Sequence, residues 1–134
     1  MSATDFKFAT SFAKDALYDD GLRSFLEYRD LGIKEATGGK FRAHVLRVKK
    51  GADHGTLHTT GLHQHHLDFQ MIYILKGWIK FTYEGHGERT FGPGDCCLQP
   101  PGIVHNELDC SDDLELLEIT SPGDYQTAPV AKGA

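Results

Sequence analysis

GLHQHHLDFQMIYILKG, residues 61–77, is the stretch around which this chain is organised. His63 and His65 stand one residue apart, just before a run rich in Ile, Tyr, Phe and Met. Positions i and i+2 of a β-strand point to the same face, so two imidazoles in an extended segment reach one point from one wall. This spacing predicts two nitrogen ligands for a metal ion on one strand.

A second stretch, GDCCLQPPGIVH, covers residues 94–105 and supplies a third histidine. Its Gly-Asp and Pro-Pro-Gly segments indicate turns on either side of a short strand. His105 then opens a new extended run. Neutral imidazole suits zinc, iron, copper, nickel and manganese.

Together the two stretches resemble the motifs of the cupin family. The first has His-x-His, four residues, a ligand position, six residues and a glycine; the second has a glycine, five residues, Pro-x-Gly, two residues and a histidine. The resemblance covers about residues 41–120 and implies an all-β fold, a double-stranded β-helix (jelly-roll) barrel with the metal in its mouth. It also implies that His63, His65 and His105 are the metal ligands. Two positions depart from the pattern, since Gln70 stands in place of a glutamate ligand and Asp109 in place of an asparagine.

Gln70 bears directly on the chemistry of the site. The resemblance implies that it faces inward, although its parity differs from that of His63 and His65, so we expect a turn or bulge near residues 66–68. A glutamine amide oxygen is a weak, uncharged ligand, which either coordinates the metal or hydrogen-bonds a metal-bound water. A divalent ion held this way keeps its full charge and favours an anionic, chelating substrate such as an enolate.

Within the cupins, this ligand set resembles that of three-histidine dioxygenases that cleave β-diketones with ferrous iron. The resemblance implies a mononuclear Fe(II) dioxygenase acting on a small enolisable substrate, with nickel, manganese or zinc as other possible metals. Two alternatives stay open: a module that binds or senses a small molecule without redox chemistry, and a metal-dependent lyase or isomerase.

Glu107 is the candidate base, because it shares parity with His105 and so faces the same cavity. It could equally pair with an arginine or lie at the rim. We interpret His44 as a core or surface histidine, although it could lie near the site across the barrel. The remaining charged and imidazole side chains are expected to face solvent or to pack: His54, His58, His66, His86, Asp68, Glu115 and Glu118.

The bulk composition excludes several classes of function. The 134 residues carry a net charge of −5 without a basic run, which argues against nucleic-acid binding and anionic membranes. No run approaches transmembrane length and the first residues lack an apolar signal core, so we expect a cytoplasmic protein. Cys96, Cys97 and Cys110 are expected to be reduced thiols.

The expected organisation is one domain, residues 1–134, with its core at about 41–120, an N-terminal arm at 1–20 and a mobile tail at 121–134. Residues 69–75 predict a strand buried on both faces, and residues 78–84 alternate with Ile79, Phe81 and Tyr83 on one face. Phe69, Tyr73, Trp78 and Phe81 are expected in the core. A homodimer is expected, since small jelly-roll domains leave apolar sheet edges that pair.

Overall fold

The computed structural model describes residues 5–21, 23–52 and 61–130, and these form two antiparallel β-sheets. The six-stranded sheet has the order β1-β2-β3-β10-β5-β8 and the five-stranded sheet the order β11-β4-β9-β6-β7. The strands, in chain order, are β1 Asp19–Asp20, β2 Leu26–Asp30, β3 Arg42–Val48, β4 His63–His66, β5 Phe69–Lys76, β6 Ile79–Tyr83, β7 Gly87–Phe91, β8 Cys96–Leu98, β9 His105–Cys110, β10 Glu115–Ser121 and β11 Gln126–Pro129.

Helical structure in the described part of the chain is short. A 3-10 helix spans Ala13–Asp15 and one α-helix, α1, spans Ile33–Ala36. No helix among the described residues is long and apolar enough to cross a membrane.

Neighbouring strands in each sheet are mostly distant in sequence, as the jelly-roll topology requires. Strand β10 lies between β3 and β5, with Glu118 opposite His44 on one side and Ile72 on the other. Strand β4 pairs with β9, where His63 lies opposite His105. The predicted all-β fold is therefore confirmed, and its long-range pairing brings the two motif histidine groups together.

The core lies between the two sheets. Ile72, Ile74 and Leu116 from the six-stranded sheet share one buried cluster with Ile79, Phe81 and Tyr83 from the other. The alternation predicted for residues 78–84 is confirmed, because the side chains that point inward from β6 are the apolar ones.

The prediction that residues 69–75 are buried on both faces is wrong. Gln70, Ile72 and Ile74 are buried, whereas Phe69, Tyr73 and Leu75 are 36%, 40% and 46% exposed. Trp78, at 38% exposure, also lies outside the core. The reason is that the molecule has only two sheets. One face of β5 packs against the second sheet, and its other face is left exposed.

We expected a mobile tail at residues 121–134; residues 131–134 lie outside the described residues, and residues 121–130 are placed differently. Residues 126–129 form β11, which pairs with β4 along its whole length, placing Thr127 opposite His65. This strand forms an edge of the five-stranded sheet beside the motif histidines. At the other end of the chain, β1 pairs with β2 at the edge of the six-stranded sheet.

Candidate metal centre

His63 and His65 on β4 and His105 on β9 form one buried cluster. The three side chains are 3%, 6% and 1% exposed, and one ligand atom from each lies within 4.8 Å of the others. Their ring centroids are 4.4 to 5.0 Å apart. The i, i+2 spacing on β4 and the pairing of β4 with β9 place the three rings on the inner face of the same sheet.

The outer nitrogen of each ring, Nδ1, lies at hydrogen-bond distance from an oxygen atom. Nδ1 of His63 donates to the Gly61 carbonyl at 2.9 Å, and Nδ1 of His105 donates to the Ile103 carbonyl at 3.0 Å. Nδ1 of His65 lies 2.8 Å from Thr127 Oγ1, which can accept in the same way. Because a carbonyl only accepts, the Nδ1 atoms of His63 and His105 carry the proton and their Nε2 atoms carry the lone pair, and that of His63 accepts from Arg23 Nη2 at 3.0 Å.

The electrostatics of the cluster keep the His65 and His105 rings neutral. Burial, followed by the nearby His105 and His63 rings, lowers the pKa of His65 to about 3. Burial also lowers the pKa of His105, with the His63 ring adding to the effect. Neutral imidazole is the form that binds a metal. Three imidazole nitrogens within one buried cluster suit a divalent transition metal, so the donor set matches the predicted metal centre.

Gln70 reaches the cavity from the opposite sheet. The expected change of direction lies at Leu67 and Asp68, where the chain leaves β4 in one sheet and enters β5 in the other. The Gln70 side chain is 3% exposed, and its Nε2 donates to Glu118 Oε2 at 2.9 Å. The amide nitrogen is therefore engaged by Glu118, which leaves the amide oxygen Oε1 for the cavity.

Glu118 is not the solvated charge that we expected. Its side chain is 13% exposed, and its Oε1 lies 2.6 Å from His44 Nε2. Burial alone would raise the pKa of this carboxyl, but the hydrogen bonds from His44 and Gln70 outweigh burial and hold it below its usual value. The expectation was wrong because Glu118 shares the inward face of β10 with Leu116 and Thr120, both of which are buried.

Glu107 lies beside the histidine cluster, on the same inward face as His105. Its Oε1 is 4.0 Å from His63 Nε2, and its Oε2 lies 3.6 Å from Nη2 of Arg23. That Oε2 atom is buried without a hydrogen-bond partner. Regular pairing with β6 from His105 onward puts Glu107 opposite Phe81, with its side chain inside. The β-bulge that follows pairs Asp109 with Lys80, and Asp109 is exposed.

Arg23 brings a permanent positive charge to the same place. Its Nη2 lies 3.0 Å from His63 Nε2, and its side chain is 16% exposed. A cavity of about 370 Å³ connects these groups, within the range of small-molecule sites. The cavity is lined on one side by His65, His105 and Glu107, and on the other by Gln70, Glu118 and His44.

Sequence reasoning missed three members of this cavity: Arg23, Tyr125 and Thr127. The Tyr125 ring lies 5.3 Å from that of His65, and Thr127 holds the outer nitrogen of the same histidine. All three lie outside the motif region, and no local pattern marks them.

The remaining histidines were expected to face solvent or to pack. His66 and His86 are exposed as expected, whereas His54 and His58 lie outside the described residues.

Comparison with known proteins gives a match to the family described as "Cupin domain" over residues 44–120, which is more than half of the chain. Dimethylsulfoniopropionate lyase DddQ from Ruegeria pomeroyi is 37% identical over 68 residues, which are 51% of this chain and 33% of the lyase. The chain therefore matches about a third of the length of that relative.

Solved structures give the same fold. The polyketide cyclase RemF from Streptomyces resistomycificus superposes with a TM-score of 0.68 at 14% identity, over 93% of this chain and 87% of that one. A predicted oxalate decarboxylase from Thermotoga maritima superposes with a TM-score of 0.59 at 25% identity, over 85% of this chain and 93% of that one. With the histidines of both motifs on neighbouring strands of one sheet and the family match spanning them, the chain belongs to the cupin family.

Proposed function

We propose that this chain is a metal-dependent enzyme that removes a proton from carbon in a small anionic substrate, and that it is an Fe(II)-dependent dioxygenase cleaving an enolisable, β-diketone-like compound. The observation that carries the proposal is the position of Glu107. Its carboxylate lies 4.0 Å from Nε2 of a candidate metal ligand, His63, inside a cavity of small-molecule size.

His63, His65 and His105 would hold the metal, with the Gln70 amide oxygen as a weak fourth ligand or as a partner of bound water. All four donors are neutral, so the ion keeps its charge and favours an anionic, chelating substrate. Arg23 adds a fixed positive charge on the same side, suited to a carboxylate or enolate oxygen.

Glu107 is the group placed to accept a proton. One of its oxygens faces His63, and the other is buried without a hydrogen-bond partner, 3.6 Å from the Arg23 guanidinium. A carboxylate with an unengaged oxygen in a sheltered cavity can take a proton from the carbon next to a metal-bound carbonyl. In this proposal Arg23 orients the anion and Glu107 enolises it.

The metal would act as a Lewis acid on the substrate oxygens and, if it is iron, would supply redox chemistry with O2. Ferrous iron is favoured by the resemblance to three-histidine dioxygenases, and nickel, manganese and zinc are compatible with the same imidazoles.

A lyase is the second candidate, and the 37% identity to dimethylsulfoniopropionate lyase favours it. A propionate with a β-sulfonium group has an acidic C–H beside its carboxylate and a leaving group one carbon further on. Removal of that proton by Glu107 would expel the sulfide without any oxidant. The two candidates therefore share the base and differ in their need for O2.

The first test is the metal content of protein purified without chelators or an affinity tag. We expect near-stoichiometric iron in the wild type and in His66→Ala, which changes an exposed neighbour on β4, and loss of metal in His63→Ala and His105→Ala. Little metal in every preparation, even after anaerobic reconstitution with Fe(II), would contradict an enzyme and favour a binding module.

The second test compares turnover with and without oxygen. Iron-loaded protein is given a panel of β-diketones, enolisable acids and dimethylsulfoniopropionate, in air and under anaerobic conditions. Oxygen uptake matched to substrate loss supports the dioxygenase, whereas equal turnover without oxygen supports the lyase. Glu107→Gln should lower kcat by about 10²-fold or more in either case, and Glu84→Gln, an exposed turn residue, should not.

A further inference from the structure

We propose that Glu118, steadied by His44, is a positioning residue that fixes the Gln70 amide and supplies the negative charge that the first motif would otherwise carry at position 70. The inference concerns the same site as the proposed function and rests on its metal-binding part. It does not depend on the reaction.

The three side chains form a row across the inner face of the six-stranded sheet. His44 on β3 lies directly opposite Glu118 on β10. Gln70 on β5 lies diagonally from Glu118, because its own partner on β10 is Thr120, two residues further along. Adjacent strands place such neighbours within reach of each other on one face. The row faces the three-histidine cluster on the other sheet across the cavity.

Each carboxylate oxygen of Glu118 takes one donor. Oε1 lies 2.6 Å from His44 Nε2, and Oε2 accepts from Gln70 Nε2 at 2.9 Å. A carboxylate can only accept, so it selects the NH2 end of the amide. The Oε1 atom of Gln70 therefore faces the cavity. A rotation of the amide that would turn its NH2 group towards a cation is disfavoured.

Positions 70 and 118 consequently act as a unit with one amide and one carboxylate. A glutamate at position 70 would place two carboxylates at hydrogen-bond distance, and like charges this close repel strongly. Gln70 is compatible with the site because the anion is already present one hydrogen bond further from the cavity. This gives a physical reason for the departure of Gln70 from the glutamate of the motif.

The test is a double-mutant cycle on Gln70→Glu and Glu118→Gln, with Glu115→Gln as the matched control on the same strand. The first readout is thermal unfolding of the metal-free protein. Gln70→Glu alone should lower the unfolding midpoint by about 5 °C. The same change in the Glu118→Gln background should not, because the carboxylate introduced at position 70 then accepts from the amide introduced at position 118. Equal destabilisation in both backgrounds would overturn the proposal.

The second readout is Co(II) titration followed by the visible absorption of the bound ion. Glu118→Gln should weaken Co(II) binding by about tenfold, since the amide of Gln70 loses its fixed orientation and the site loses a charge. The double variant should regain wild-type affinity or better, with a changed spectrum because a carboxylate replaces the amide oxygen. Glu115→Gln should leave both unchanged. Unaltered affinity in Glu118→Gln would overturn the proposal.

A third readout separates this inference from the proposed function and covers a variant that fails to fold. The side-chain NH2 resonances of Gln70, assigned by their loss in Gln70→Met, should exchange slowly in metal-free wild-type protein. In Glu118→Asp, whose carboxylate is one methylene shorter, they should exchange faster. Equal exchange rates in the two proteins would contradict the Gln70–Glu118 contact. Slow exchange of the Gln70 resonances in a protein that shows no catalytic activity would refute the proposed function and leave this inference standing.

Discussion

Each metal-site histidine depends on an oxygen atom that holds its outer nitrogen, and Thr127 is the one such partner that a single substitution can remove. We expect Thr127→Val to weaken metal binding by about 10- to 100-fold, because the His65 ring loses the acceptor that fixes its tautomer and orientation. Titration with Co(II) or Zn(II) measures the change. Thr90→Val, an exposed substitution on β7, is the control, and equal affinities for both variants would contradict this role.

The neutral histidines should also make the metal-free protein sensitive to acid. The pKa of His65 is lowered to about 3 and that of His105 is also lowered, whereas histidines in the unfolded chain titrate near 6.5. Between these values the unfolded state binds more protons, so stability falls as pH decreases from about 7. Each such histidine contributes at most about 1.4 kcal/mol per pH unit.

Urea unfolding of the metal-free protein at pH 7.5 and pH 5 measures this dependence. His65→Gln should make it shallower, and His86→Gln, which changes an exposed histidine, should leave it unchanged. Greater stability at pH 5 than at pH 7.5 would contradict neutral, buried rings.

Among the elements, the turn between β5 and β6 is tightly enclosed by its neighbours. Gly77 has φ +72°, and a Cβ there would lie 2.9 Å from Leu114 Cα and closer still to Ser111 Oγ. Gly77→Ala should therefore cost about 3 kcal/mol, combining left-handed strain with overpacking. Gly85→Ala is the matched control, since its φ is +81° with nothing within 4 Å, and it should cost only about 1 kcal/mol. If urea unfolding gave the same loss of stability for both variants, steric overlap at Gly77 would be excluded as a cause.

On the scale of the whole molecule, the outer face of the six-stranded sheet is apolar around β5 and β8. Tyr73, Leu75 and Leu98 are 40%, 46% and 58% exposed. Surfaces of this kind are typical of contacts between subunits, and we expect two copies to associate through this face. Light scattering should give twice the 14.9 kDa chain mass. Leu98→Glu should shift the mass towards one chain and Glu88→Lys on β7 should not; a wild-type monomer at every concentration would contradict the dimer.

The sequence by itself determined the fold class and the three-histidine cluster. Strand periodicity predicts the all-β class and sends His63 and His65 to one face. His105 was added by the resemblance of the second motif to the family pattern, and the pairing of β4 with β9 brings it to the other two. The tertiary structure decided the rest of the site. Glu118, Thr127 and Arg23 reach it only through strand pairing or folding over long sequence distances, and nothing local distinguishes a buried glutamate on β10 from a solvated one. The exposed face of β5 was likewise decided by which layer the strand joins, because an apolar run has the same pattern whether one or both of its faces are covered.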